Sequence, residues 1–126
     1  MKKPDDQFPG ILHAFYLEGA SDDIYLAEIL WDISDAMGFD RQKIASNQTK
    51  ELWEAVERFM PLMLSQFWAV DLSVENKKLF ATPWPNQTPE AVLARIKEKW
   101  IAYNGKEPDV WYLVWFRRKD KVIKTQ

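Results

Sequence analysis

The sequence predicts an α+β fold, a small and largely antiparallel sheet packed against two or three helices, in a single domain over residues 1–126. Three observations carry this reading. Between Thr49 and Trp68, Leu52, Val56, Phe59, Met60, Met63 and Phe67 fall on one apolar stripe at helical spacing, with Lys50, Glu54, Glu57 and Arg58 opposite. Val110 to Phe116 (VWYLVWF) is apolar at odd and even positions alike, the mark of an interior strand covered on both faces. Finally, 126 residues with a 47% hydrophobic and 29% charged composition suffice for one core without staples.

Taken in order, residues 1–8 are expected to fray. Pro9 to Leu17 (PGILHAFYL) is too short and too uniformly apolar for periodicity to classify; it reads as a strand, with a first helical turn as the alternative. Ser21 then caps a helix with Asp22 and Asp23 in its first turn, and Gly38 stops it beyond Met37. Its core face is Leu26, Ile29, Leu30, Ile33 and Met37. Asp40 to Ser46 reads as a short helical turn. Thr49 caps the long central helix, which Pro61 on its polar face should kink or split.

Val70, Leu72 and Val74 alternate with Asp71, Ser73 and Glu75, the period of a strand. Asn76-Lys77 reads as a turn and Lys78 to Thr82 as the returning strand, with Pro83-Trp84-Pro85 as a connection. Trp84 between prolines reads as a lid over the core ahead of an exposed anchor. Thr88-Pro89-Glu90 is a helix start: cap, proline at the first position, then an acid. Val92, Leu93, Ile96, Trp100 and Tyr103 form that helix's stripe, and Asn104-Gly105 ends it. After the aromatic strand come Arg117, Arg118, Lys119 and Lys121, with 119–126 expected to fray. The two Asn-Gln-Thr triplets, at Asn47 and Asn86, read as helix starts instead of glycan sites.

The chain has no cysteine, which excludes disulfides, thiol catalysis and Cys-ligated metals. Acid and proline at residues 4–6 stand where a signal peptide would be apolar, and no apolar run reaches a membrane span, so the expected location is cytoplasmic with no membrane partner. His13 is the single histidine and reads as a partly buried side chain; no serine has a nucleophile-elbow context and no glycine-rich phosphate loop is present. The expectation is therefore a protein that is not an enzyme and carries no cofactor.

Charge is the more informative feature. Residues 1–40 hold nine acids and two lysines, a net of −7, whereas residues 41–126 carry a net of +5. On a helical wheel Tyr25, Glu28, Asp32 and Asp35 share one quarter, flanked by Trp31 and Ile24. Glu28 and Asp32 are a like-charged i,i+4 pair, which costs an isolated helix about 0.2–0.5 kcal/mol. Three readings compete: a solvated face, or one neutralised by Arg117, Arg118 and Lys119; a docking face for a basic protein; and a divalent-metal site, disfavoured because its ligands would come from one helix. The expectation adopted is a small inhibitor or immunity-type protein that docks a basic partner. Glu28, Asp32 and Asp35 would steer, and Tyr25 and Trp31 would anchor. The alternative is a single-stranded nucleic-acid binder, with Trp111 and Trp115 on one strand face, Tyr112 and Phe116 on the other, and the basic tail on phosphates. An exposed Trp face also admits a homodimer.

Overall fold

A computed structural model describes residues 4–38, 49–102 and 114–121. After a 3-10 turn at Pro4–Gln7, the elements are α1 (Phe8–Glu18), β1 (Ile24–Tyr25), α2 (Leu26–Ala36), α3 (Thr49–Gln66), β2 (Phe67–Glu75), β3 (Lys78–Pro83), α4 (Pro89–Ala102) and β4 (Trp115–Arg118). The four strands form one antiparallel sheet in the order β1-β4-β2-β3. The fold is α+β, as the sequence predicts, and β4, the end of the aromatic run, lies in the sheet interior.

The central helix supplies the core. Leu52, Val56, Phe59, Met60 and Met63 are all buried, and the helix runs through Pro61 as one element instead of splitting. Pro61 lies on the exposed side, where water can reach the Glu57 carbonyl that proline leaves without its helical amide partner. The helix ends at Gln66, so Phe67 and Trp68 open β2 instead of closing α3; the Gln66 carbonyl accepts the Lys119 amide at 3.0 Å, which hands the chain directly from helix to strand. Phe67 is buried all the same, so the apolar stripe is continuous across the change of geometry.

Two expectations need correction. Residues 9–17 are helical, not a strand: α1 packs Phe8 and Phe15 edge-on against Phe59, with ring centroids 5.2 and 6.3 Å away. Periodicity was silent because the outward residues Gly10, Ala14 and Leu17 are also apolar, with Leu17 61% exposed. The second helix begins at Leu26, not after Ser21. Ile24 and Tyr25 are drawn into the sheet opposite Phe116 and Trp115, a long-range pairing that overrides the local cap. The Ser21 hydroxyl instead donates to the Glu18 carbonyl at the end of α1. At the far end of α2 the left-handed stop holds: Gly38 has φ +76.

Leu26, Ile29, Leu30 and Ile33 are buried as expected, with Met37 packed at the core's margin. The β2–β3 turn is also as expected, Asn76 and Lys77 both at positive φ, so that β3 returns directly along β2. Trp84 is a lid: 2% exposed, it donates Nε1–H to Asp71 at 2.8 Å while Arg95 stacks 4.4 Å above its ring. Gln87 closes the same corner, its amide accepting from Ala69 N–H and donating to the carbonyls of Ala69 and Trp84, each at 2.9 Å. In α4, Val92, Leu93 and Ile96 are buried, and the Thr88 hydroxyl accepts the Ala91 amide. The turn expected at 40–46, the side chains of Trp100 and Tyr103 and the strand positions 110–113 lie outside the described residues.

Candidate docking face

Tyr25 and Glu28 meet where α1, β1 and α2 join, whereas Asp32 and Asp35 lie farther along α2. Residues 4–38 contain eight carboxylates and no lysine or arginine. Among them, Asp5 takes Arg58 of α3 in a two-pronged contact at 2.9 and 3.0 Å, and Asp23 takes Arg117 of β4 at 3.0 and 2.8 Å. The second pair is nearly dry, with side chains 7% and 13% exposed, and it pins β1 to β4. Asp6, Glu18, Asp22 and Asp35 are exposed and Asp32 is half-buried.

Tyr25 is on β1 and not on the helix, but it caps α2 with extended backbone (φ −105, ψ 161). Its amide donates to Glu28 Oε2 at 3.0 Å, so Glu28 is the third-position acid that closes the helix start. Burial pushes the Glu28 carboxyl up to about 8, aided by a hydrogen bond with Glu18 and the charges of Glu18 and Asp22; the Tyr25 amide pulls the other way. At neutral pH this carboxyl therefore holds its proton, and the repulsion expected between Glu28 and Asp32 is removed. Ile24, expected beside the acidic face, points into the core at 0% exposure, because neighbouring strand residues alternate faces.

The aromatic part of the face is larger than the sequence suggested. The rings of Tyr25 and Trp31 meet edge to face, 6.4 Å apart at 81°. Tyr25 lies opposite Trp115, and Trp115 opposite Val70; Trp68 lies opposite Arg117 in the next register step. Opposed residues share a face, so Tyr25, Trp115 and Trp68 all project from the side away from the buried Ile24, Phe116 and Ala69. All three, and Trp31, are half-buried. Tyr25 and Trp115 come together across about ninety residues of sequence, a juxtaposition that no local pattern reveals.

The basic tail is engaged within the fold. Beyond the Arg117–Asp23 pair, Arg118 lies 3.8 Å over the Tyr16 ring, donates to the Tyr16 carbonyl and pairs with Asp120, and Lys119 sits 4.3 Å above the Trp68 ring. His13 is exposed, not partly buried; it borders a groove of about 340 Å³ between α1 and α3, with Leu12, Tyr16, Leu62 and Gln66. Among the described residues, no group of three or more His, Asp or Glu is arranged to hold a metal ion, and no helix is long and apolar enough to cross a membrane. No family model matches the chain, and no curated protein or solved structure is similar enough to count as a match.

Proposed function

We propose that this is a non-catalytic binding protein that docks a basic protein partner through the α1–β1–α2 face, and that it acts as an inhibitor or immunity-type protein. The observation that carries the reading is the one-signed charge of residues 4–38 set around the half-buried Tyr25–Trp31 pair. Carboxylates at the rim speed encounter with a cationic surface, and a central aromatic pair supplies area that holds the complex once formed. The roles divide by environment. Asp32 and Asp35 supply the charge, Tyr25 and Trp31 the apolar anchor, and Glu28, protonated and bonded to the Tyr25 amide, positions that anchor.

The test is affinity capture of the tagged chain from its host, in parallel for the wild type, Asp32→Lys and Asp35→Lys, followed by titration of the purified partner at several salt concentrations. A basic protein retained by the wild type, lost by both variants and associating more slowly at high salt supports the proposal. A partner held equally by all three forms refutes it, as does a partner without excess positive charge. Nucleic acid in the eluate that survives both reversals transfers the function to the Trp68, Trp115 and Arg117 side of the sheet.

A further inference from the structure

Helices α1 and α3 leave a groove of about 340 Å³ between them, lined by Pro9, Leu12, His13, Tyr16, Leu62 and Gln66. That volume falls at the lower end of the roughly 300–1,000 Å³ usual for small-molecule sites. Its character follows from the sequence. No Asp, Glu, Lys or Arg occurs from Gln7 to Leu17 or from Phe59 to Val70, the two stretches that supply the lining. In a chain with 29% charged residues, two uncharged stretches thus meet along one concave surface, where an ionic ligand finds no counter-charge.

The polar groups on this surface are neutral and unused. Among the described residues, neither the His13 imidazole nor the Gln66 side-chain amide has a hydrogen-bond partner, and both residues are exposed. They come from different helices, His13 from the middle of α1 and Gln66 from the end of α3. Leu12 and Leu62, packed against the core, supply the apolar part of the lining. The walls are fixed before any ligand arrives. Gln66 is pinned through its carbonyl, which accepts the Lys119 amide at 3.0 Å. Tyr16 is pinned by Arg118, which lies 3.8 Å over its ring and donates to its carbonyl at 2.9 Å, while Asp120 answers the guanidinium charge. Walls held in this way spare a ligand the cost of ordering them.

We propose that the α1–α3 groove binds a small, flat, uncharged aromatic molecule that carries a carboxamide, with its ring against Tyr16, Leu12 and Leu62 and its amide edge on Gln66. Two carboxamides meet through a pair of parallel hydrogen bonds, each donating N–H to the other's oxygen, so both polar edges are satisfied at once. A carboxylate has no donor for the Gln66 oxygen, and an ammonium has no acceptor for the Gln66 N–H. Each also brings a charge that nothing in the lining answers. His13 supplies a second neutral donor and acceptor beside the same space. None of Tyr25, Trp31, Asp32 and Asp35 lines the groove, so this site stands apart from the docking face and does not depend on it.

The experiment titrates the full chain with benzamide, benzoate and benzylamine, three probes with one ring and three charge states, read by NMR shifts of backbone and Gln66 side-chain amides. Benzamide should move the signals of Leu12, His13, Tyr16, Leu62 and Gln66 and saturate with Kd about millimolar, as befits a ligand of so few atoms. Benzoate and benzylamine should bind at least about tenfold more weakly. Gln66→Leu should weaken benzamide by at least about fivefold, the loss expected from its hydrogen bonds. Gln66 is exposed, so this replacement leaves the core in place. Absence of saturable benzamide binding overturns the proposal, as do shifts that map away from the groove. Ions that bind as well as benzamide also overturn it, and so does a Gln66→Leu variant that binds benzamide undiminished.

Discussion

Replacing Glu28 with Gln tests whether the docking face is built around a proton. The amide keeps an oxygen to accept the Tyr25 N–H, and it keeps a donor for Glu18, but it never ionises. In the wild type the folded carboxyl titrates at about 8, against 4.5 as the ordinary value. Between those limits the folded state holds a proton that the unfolded chain has released. Stability therefore falls as pH rises from about 4.5 to about 8 and stays at its reduced level above that. Each pH unit in the window is worth at most about 1.4 kcal/mol. The carboxyl keeps a path to solvent, so screening leaves about half of the full effect, on the order of 2 kcal/mol over the window. For a chain of this size that is roughly 8 °C in Tm. The assay is thermal unfolding of wild type and Glu28→Gln at intervals from pH 5 to pH 9. The variant's advantage should be small at the acid end, grow steadily, and level off above pH 8. A difference that stays constant across the range would refute the argument, since it would place the Glu28 carboxyl in the same charge state folded and unfolded.

Three further outcomes follow from contacts in the fold. Asp23→Ala leaves the Arg117 guanidinium nearly dry and without its carboxylate; the expected loss is about 3 kcal/mol in urea unfolding, and the double variant Asp23→Ala, Arg117→Met should recover part of it. Gln87→Ala removes three 2.9 Å bonds to the backbone of Ala69 and Trp84 and should cost about 2–3 kcal/mol, read in the same way, whereas Ala94→Ser on the exposed side of α4 should cost little. Asp35→Lys, at an exposed position, should weaken partner binding with Tm nearly unchanged; Trp31→Ala should weaken binding and also lower Tm by several degrees, because that ring is packed against the core.

How much of this was legible in the sequence depends on how local the determining interactions are. The α3 stripe, the Asn76-Lys77 turn, the Thr88-Pro89 helix start and the Gly38 stop are settled by residues within a few positions of one another, and each appears where the sequence placed it. The misread boundaries share a different cause. Ser21, Asp22 and Asp23 form a good local helix start, but Asp23 is claimed by Arg117 and Ile24 by the sheet, both from β4 at the other end of the chain. Helix α1 escaped for the opposite reason. Its outward face is nearly as apolar as its inward face, so there was no contrast for periodicity to detect.

The docking face shows the same division between local and distant information. Charge asymmetry was visible in a simple count, and so was the proximity of Tyr25, Glu28 and Asp32. The count could not show which carboxylates carry charge. Asp23 is neutralised by an ion pair and Glu28 by a proton, and both conditions depend on burial that the tertiary fold imposes. Nor could it show that Trp115 and Trp68 extend the Tyr25 face, because the strands that align them are joined only in the sheet. Both missing facts point the same way. Asp23 is paired with Arg117 and the Glu28 carboxyl is pushed up by burial, while Asp22 and Asp35 are exposed and the Tyr25 and Trp31 rings stay half-buried. A surface arranged like that keeps its charge where it acts at long range and its apolar area where it acts on contact. The proposed association with a cationic protein would draw on that division of labour.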